Sequence, residues 1–256
     1  KKEDKFGIPL AGARDVYRTA SKLEGIKVVG IDVHIGSQLM DLSPFRLAYN
    51  KIAELAKELI EDGHKIERLD LGGGLGIPYK RANERQPSLS EYGSIIKETV
   101  GSLGCEIQIE PGRFIVGNAG ILVSEVIYKK FGLDREFLIL DSAMNDLVRP
   151  TMYQAYHEII PILEHRDRLD VRQYDVVGPV CETGDIFASQ RTLSEMEAGD
   201  LVAIMSAGAY AAVMASEYNT RPLVPEVLVK GNQFFTIRKR PPIDEIINRD
   251  IIPAWL

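Results

Sequence analysis

The chain has 256 residues, of which 45% are hydrophobic and 27% are charged, and its formal net charge is -6. This composition is that of an ordinary globular protein, and the length suits one large or two medium domains. The acidic balance, without a basic block interleaved with aromatics, excludes a typical nucleic-acid-binding protein and is usual for a cytoplasmic enzyme. The two cysteines indicate free thiols rather than a disulfide scaffold. No apolar run approaches the roughly 20 residues that span a bilayer.

The first part of the chain alternates predicted helices and strands. Helices are expected at 11–24, stopped by Gly25, at 43–62 with Ser43 as N-cap and Pro44 as the first helical residue, and near 90–101. Three strands, I-K-V-V-G-I-D-V-H, I-E-R-L-D-L and C-E-I-Q-I-E, should end near residues 34, 71 and 110. The first is apolar enough to be covered on both faces.

This repeat of about 35–40 residues suits a (β/α)₈ barrel or an open doubly wound sheet. Three strands cannot close a barrel, so the barrel interpretation implies that more than about 100 residues precede Lys1 in the intact protein. We therefore predict a partial barrel domain over residues 1–120.

After about residue 120 the pattern changes to short β-rich runs separated by turn residues. The runs are G-I-L-V-S-E-V-I-Y-K-K, R-E-F-L-I-L-D-S, Y-D-V-V-G-P-V, D-L-V-A-I-M-S, P-E-V-L-V-K and F-F-T-I-R-K. Such runs predict an all-β sandwich or barrel domain over residues 121–256, closed by a short helix at P-P-I-D-E-I-I-N-R. The expected fold class is thus α/β plus all-β.

Polar residues and glycines follow each predicted strand of the first domain, where ligands bind in α/β folds. They are His34, Ser37, Gly72, Gly73, Gly74, Glu110, Gly112 and Arg113. Consecutive glycines let backbone amides approach an anion, so the glycine triplet with Ser37 suits a phosphate. A tight turn without a ligand is an equally good interpretation, because glycine motifs are weak evidence.

Two other features of these strand ends have plain structural alternatives. Glu110 and Arg113 could form a simple ion pair, and His34 could be an ordinary core or rim histidine. No H-x-x-x-H or C-x-x-C spacing occurs, so no dedicated metal site is expected.

The β-rich half carries three further candidates. Cys181 is flanked by Glu182 and Asp185, and negative neighbours disfavour the thiolate, so the thiol suits a proton donor better than a nucleophile. A loop with a buried cysteine is the structural alternative. Arg149 and Tyr153 lie close together along the chain as a possible carboxylate clamp. Tyr210 follows the strand L-V-A-I-M-S.

In this order and spacing, the motifs resemble the fold-type III pyridoxal-phosphate (PLP) decarboxylases, the ornithine, diaminopimelate and arginine decarboxylase family. The motifs are H-I-G-S-Q, G-G-G, E-P-G-R, C-E-T-G-D, G-A-Y and S-E-Y-N. The stretch M-N-D-L-V-R-P-T-M-Y-Q-A-Y-H-E-I points to the diaminopimelate branch. The resemblance covers essentially the whole chain, and it implies the last strands of a TIM-type barrel followed by a β domain.

The resemblance also implies roles for the candidate residues around PLP. His34 is a catalytic residue that stacks on the pyridine ring, Ser37 and Gly72–Gly74 hold the phosphate, and Glu110 pairs with the ring nitrogen. Gly112, Arg113 and Tyr210 lie near the phosphate or substrate. Family active sites form at a homodimer interface, where Cys181 reaches into the partner's site as the proton donor.

The chain departs from the family in one respect: no lysine here lies in a motif that matches the family's Schiff-base lysine. The segment by itself is therefore expected to be inactive. The intact protein is expected to convert meso-2,6-diaminopimelate to L-lysine and CO₂, the last step of lysine biosynthesis.

Substrate choice should depend on the distal end of the amino acid. Arg149, Tyr153 and Arg113 suit the distal carboxylate of diaminopimelate, Glu182 suits its amine, and an arginine would repel the distal ammonium of ornithine. The alternatives are a decarboxylase of ornithine, arginine or carboxynorspermidine, or a non-catalytic PLP-binding homologue. A plain assembly domain would not require Cys181, Glu110 and Arg149 together.

Overall fold

The computed structural model describes residues 5–80, 82–163 and 170–255. The chain divides into two compact units. The first consists of the described residues of Lys1–Pro78 and Glu84–Ile115, and the second of those of Tyr79–Asn83 and Val116–Leu256. The domain limits 1–120 and 121–256 stay a prediction. Within these described ranges, no helix combines the length and the apolar character that crossing a membrane requires.

The first unit alternates helices with parallel strands, as the sequence predicts. Its elements are α1 (Ala13–Ala20), β1 (Gly30–Asp32), α2 (Ser43–Glu61), β2 (Arg68–Asp70), α3 (Leu89–Thr99), β3 (Glu106–Gln108) and α4 (Gly112–Val116). The strands form one parallel sheet in the order β1-β2-β3.

Helix α2 supplies much of the core of the first unit. Its apolar residues recur at helical spacing, so one face is buried; the buried residues are Phe45, Tyr49, Ile52, Ala53, Leu55, Ala56 and Leu59. The Tyr49 hydroxyl lies 2.9 Å from that of Tyr92 in α3 and donates to the Leu71 carbonyl at 3.4 Å. Burial raises the pKa of Tyr49, so its hydroxyl stays protonated. These contacts tie both helices to the end of β2.

Two predicted helix boundaries are wrong. Helix α1 ends at Ala20, because the next amides form turns, with Lys22 N–H donating to Thr19 and Leu23 N–H to Ala20. Ser43 is the first residue of α2 and not its N-cap.

Asp41, and not Ser43, provides the side-chain acceptor at the start of α2. Its carboxylate accepts from the Ser43 amide at 2.9 Å and from the Ser43 hydroxyl at 2.5 Å. These hydrogen bonds lower the pKa of Asp41. A carboxylate beside the first helical amides satisfies donors that have no partner within the helix.

The first strand is shorter than predicted, and it is not covered on both faces. Only Gly30–Asp32 forms β1, Asp32 is exposed, and Ile26 is 53% exposed. Among the described residues, β1 pairs with β2 alone and is the first strand of the order β1-β2-β3.

The second unit is β-rich, as predicted, and it holds a six-stranded mixed sheet. Its elements are β4 (Leu122–Phe131), β5 (Glu136–Leu140), α5 (Arg149–Tyr153), β6 (Ile159–Pro161), β7 (Val171–Val177), β8 (Ile186–Ser194), β9 (Leu201–Ile204), β10 (Glu226–Lys230), β11 (Gln233–Arg238) and α6 (Ile243–Ile247). The large sheet has the order β6-β9-β4-β5-β7-β8, in which β5 and β7 are parallel and the other neighbours antiparallel, and β10 pairs with β11.

The sequence missed β6, β8 and α5, and it placed β7 three residues too late. Strand β8 breaks the expected alternation because Gln190 has a positive φ of 48° and the register with β7 shifts nearby. Such a bulge hides the period-two pattern on which strand prediction depends. The core of this unit includes Val126, Leu138, Leu140, Leu147, Tyr174, Val176, Met196, Val202 and Ile204.

Candidate functional site

The register of the parallel sheet places three predicted site residues side by side. Asp32, Asp70 and Gln108 are aligned across the sheet, and each lies two residues before a candidate: His34, Gly72 and Glu110. The Glu110 amide donates to the Gly72 carbonyl at 2.9 Å, which continues the pairing beyond the strands. His34 and Glu110 are exposed, so both side chains can meet a ligand.

The glycine triplet lies between the backbones of two neighbouring loops. A β-carbon on Gly72 would overlap the Val33 carbonyl oxygen, and one on Gly73 that of Glu110. Gly72 also has a positive φ of 67°. The close backbone approach explains the glycines without a ligand, as the tight-turn interpretation requires.

The same triplet nevertheless offers donors suited to an anion. The Gly72 amide donates to the Asp70 carboxylate at 2.9 Å. Among the described residues, the amides of Gly73 and Gly74 donate to no protein acceptor. Two such amides beside a hydroxyl donor make a set that fits a phosphate group.

Ser37 and Arg113 come together although 76 positions separate them. An Nη2 hydrogen of Arg113 is donated to the Ser37 hydroxyl oxygen at 3.0 Å. Ser37 is exposed and Arg113 is half-buried. A hydroxyl and a guanidinium in contact suit an anionic ligand, and Gly112, which immediately precedes Arg113, begins α4.

Two residues that the sequence did not single out hold these loops in place. The side-chain amide of Gln38 donates to the Ile77 carbonyl at 2.6 Å and accepts from the Ile77 amide at 3.2 Å. Asp70 fixes the turn into Gly72, as aspartate often does two residues before a turn amide. The Asp-x-Gly spacing was the available signal for Asp70, whereas nothing in the sequence pairs Gln38 with Ile77.

In the second unit, Arg149 is only 7% exposed at the start of α5. Its Nη1 lies 2.7 Å from Nε2 of His157, and its guanidinium stacks over the Tyr79 ring at 4.8 Å. Tyr153 in the same helix is 62% exposed. Neither His157 nor Tyr79 stands out in the sequence, because their contacts with Arg149 arise only in the folded unit.

Cys181 and Glu182 lie on the exposed loop between β7 and β8. The exposed position removes the structural alternative of a buried cysteine. The loop is internally hydrogen-bonded: the Glu182 amide donates to the Val180 carbonyl at 2.8 Å and the Gly184 amide to the Glu182 carboxylate at 3.1 Å. Thr151 of α5 donates to the Gly184 carbonyl at 2.6 Å, so the loop and α5 are joined.

The buried carboxylate of Asp185 anchors the same loop. It accepts from the Met144 amide at 2.7 Å and from the Val180 amide at 2.8 Å. Burial raises the pKa of Asp185 in spite of these two donors. Tyr210, the last candidate, is partly exposed and has a positive φ of 58°.

The described residues contain no group of three or more histidine, cysteine, aspartate or glutamate side chains that could hold a metal ion. The polar groups present are donors (amides, hydroxyls and guanidinium groups) and single carboxylates, which accept hydrogen bonds. This set can bind phosphate and carboxylate groups and can exchange a proton.

The chain was compared with protein families and with known proteins of similar sequence and structure. The family model described as pyridoxal-dependent decarboxylase, C-terminal sheet domain, matches residues 16–208. A diaminopimelate decarboxylase of Zymomonas mobilis is 48% identical over 256 residues, covering 100% of this chain and 60% of the relative.

Solved structures of similar fold also include decarboxylases and ligand complexes. Diaminopimelate decarboxylase from Helicobacter pylori, complexed with L-lysine, superposes with a TM-score of 0.90 and 38% identity over 97% of this chain and 61% of its own. A protein solved with PLP and cadaverine reaches a TM-score of 0.75 at 26% identity, over 84% of this chain and 55% of its own. The chain thus spans about 60% of the length of its nearer relatives. It belongs to the pyridoxal-dependent decarboxylase family.

Proposed function

We propose that the full-length protein decarboxylates meso-2,6-diaminopimelate to L-lysine and CO₂, with PLP as its cofactor, as the last step of lysine biosynthesis. The observation that carries the choice of substrate is the buried guanidinium of Arg149. A buried cation favours a substrate whose distal end bears a carboxylate and opposes one that ends in an ammonium. Ornithine ends in an ammonium, and diaminopimelate bears a carboxylate at both ends.

The first unit holds the cofactor in this proposal. The amides of Gly73 and Gly74, the Ser37 hydroxyl and Arg113 bind its phosphate, with Gly72 and Gly112 shaping the backbone around it. The supporting observations are the available amides and the contact between Ser37 and Arg113. His34 packs on the pyridine ring.

Glu110 keeps the ring nitrogen protonated by hydrogen-bonding to it. When bound, PLP supplies an electron sink for the pair of electrons that remains as CO₂ leaves. The part of Glu110 is to hold a proton at the ring nitrogen, which its exposed carboxylate at a strand end can do.

The second unit recognises the substrate and returns the proton. Arg149, with Tyr153, binds the distal carboxylate, Tyr210 contacts the substrate, and the Glu182 carboxylate accepts from the distal amine. The Cys181 thiol donates a proton to the reacting carbon after CO₂ departs. The exposed position of Cys181 on a loop anchored by Asp185 supports this role.

The finer architecture is also a proposal. The three parallel strands of the first unit are the last strands of a (β/α)₈ barrel, and residues 121–256 form a β-sandwich or barrel domain. The protein is a cytoplasmic homodimer in which Cys181 serves the partner's site. The parallel register and the family membership support the barrel and the β domain. The homodimer and its location are carried over from the resemblance to the family.

The direct test is to incubate the full-length protein with meso-diaminopimelate, with and without added PLP, and to measure lysine and CO₂. We expect equal amounts of both products and loss of both after PLP is removed. A PLP-loaded protein that produces no lysine would refute the proposal.

A further inference from the structure

The hydrogen bonds around His157 determine which of its ring nitrogens carries the proton. Nε2 lies 2.7 Å from Nη1 of Arg149, and Nδ1 lies 2.8 Å from the Met205 carbonyl oxygen. An arginine can only donate and a carbonyl can only accept. Nε2 is therefore the acceptor and Nδ1 the donor, so His157 is the neutral Nδ1–H tautomer.

Further contacts prevent the ring of His157 from turning. The side chain is 1% exposed, and the Tyr79 ring packs edge-on against it with centroids 5.3 Å apart. Arg191 of β8 donates to the His157 backbone carbonyl at 2.9 Å. His157 is thus fixed at both ring nitrogens and at its backbone.

This rigid histidine in turn fixes the plane of the Arg149 guanidinium. The guanidinium is held from one side by Nε2 and from its face by the Tyr79 ring, 4.8 Å from the centroid. Because its donors share one plane, fixing one donor and the face sets the directions of the others. Neither contact would be visible from the sequence spacing alone.

We infer that His157 is a positioning residue that, through Nε2, orients Arg149 for the distal carboxylate of the substrate. This inference rests on the proposed function and adds a residue that determines specificity without touching the substrate. Preorganised donors bind a carboxylate more tightly because less conformational freedom is lost when the ligand arrives.

Two substitutions separate orientation of Arg149 from simple packing. Glutamine in His157→Gln can place its amide oxygen near the position of Nε2 and so can still accept from Arg149. Asparagine in His157→Asn reaches only the position of Nδ1, so it keeps the Met205 contact and loses the acceptor. Both are made in the full-length, PLP-loaded protein.

The ligands are chosen to isolate the distal carboxylate. L-Lysine, the proposed product, keeps that carboxylate, whereas cadaverine lacks it. For His157→Asn we expect L-lysine affinity to fall and the KM for diaminopimelate to rise, each about 10- to 100-fold, the usual effect of losing a hydrogen bond to a charged group. Cadaverine affinity should change little, because cadaverine has no distal carboxylate for Arg149 to bind. The value of kcat should also change little, because Arg149 binds the distal carboxylate equally in the ground and transition states.

His157→Gln should stay within about threefold of the wild type for every one of these measurements, a difference under 1 kcal/mol. The inference is overturned if the two variants lose lysine affinity equally, or if cadaverine affinity falls alongside. If His157→Asn does not fold, a folded His157→Gln that loses lysine affinity overturns it as well.

The experiment also separates this inference from the proposed function. A wild-type protein that produces no lysine from diaminopimelate refutes the function, whatever the variants do. The lysine and cadaverine affinities of the variants still decide the role of His157, because they require binding and not turnover.

Discussion

Gly73 and Glu110 lie so close together that a β-carbon on the glycine would overlap the carbonyl oxygen of the glutamate. The two residues belong to neighbouring strand ends, and the adjacent Gly72 carbonyl accepts from the Glu110 amide. The proposed phosphate-binding amides and the proposed partner of the ring nitrogen are therefore fixed relative to each other by backbone contacts.

Gly73→Ala should disturb both groups at once. The new methyl must push the ends of β2 and β3 apart, and overpacking of this kind costs about 1–3 kcal/mol. We expect weaker PLP binding by the full-length protein, measured by fluorescence titration, together with a lower free energy of unfolding.

Gly93→Ala is the matched control. Gly93 lies within α3, is exposed, and has no other atom within 4 Å of an added β-carbon. The same substitution should raise the free energy of unfolding by about 0.5–1 kcal/mol through helix propensity, with PLP affinity unchanged. Equal PLP affinities in the two variants would show that the contact with Glu110 does not shape the cofactor site.

Cys181→Ala should lower kcat more than it weakens substrate binding, because the thiol is proposed to act after CO₂ leaves. General acid catalysis is usually worth about 10²- to 10⁴-fold, and a loss of that size is expected. Steady-state kinetics with diaminopimelate measure it. An unchanged kcat would mean that the exposed cysteine has no catalytic part.

Mixed dimers test the cross-subunit assignment of Cys181. Cys181→Ala is combined with a full-length variant that lacks the Schiff-base lysine, since one of the two hybrid sites then keeps both native residues. We expect partial recovery of activity. Hybrid dimers that form and remain inactive would place Cys181 and the lysine of each site on the same subunit.

Asp185 should give the protein a specific pH dependence of stability. Its pKa in the folded protein is raised above the ordinary 3.8 by burial, so folding favours its protonated form. The contribution of Asp185 to the free energy of unfolding is fully present below its pKa in the unfolded chain. It is lost as the pH rises through its higher pKa in the folded protein. The unfolding free energy of the wild type minus that of Asp185→Asn should therefore fall with rising pH over this window.

Asp41→Asn should show the opposite slope. Hydrogen bonds from the Ser43 hydroxyl and amide lower the pKa of Asp41, so its contribution is present above the unfolded pKa and lost as the pH falls through the lowered value. Urea unfolding at a series of acidic pH values measures both differences. Slopes of the same sign for Asp185 and Asp41 would contradict these assignments.

The sequence predicted the elements whose patterns are local. The strand-end positions of His34, Gly72 and Glu110 follow from a period of strand, helix and turn, and the register confirms that they are aligned. The α/β alternation and the β-rich second half were equally visible. The contact between Ser37 and Arg113 was not predicted, although both were selected as candidates.

The sequence could not predict features that depend on distant contacts. Strand β8 was not predicted, because the bulge at Gln190 breaks the alternation of apolar and polar residues along it. The tautomer of His157 depends on the Met205 carbonyl, 48 positions away, and on a guanidinium eight positions before it. Asp41 displaced Ser43 at the start of α2 because its carboxylate accepts from both the amide and the hydroxyl of Ser43.

The proposed enzyme selects diaminopimelate over amino acids whose distal end is only cationic. The most direct measurement supplies the full-length, PLP-loaded protein with meso-diaminopimelate, ornithine and arginine together at equal concentration, and quantifies lysine, putrescine and agmatine by mass spectrometry. The buried guanidinium of Arg149 predicts lysine as the dominant product, with putrescine and agmatine at trace level. Putrescine or agmatine in excess over lysine would contradict the proposed selection of diaminopimelate by Arg149.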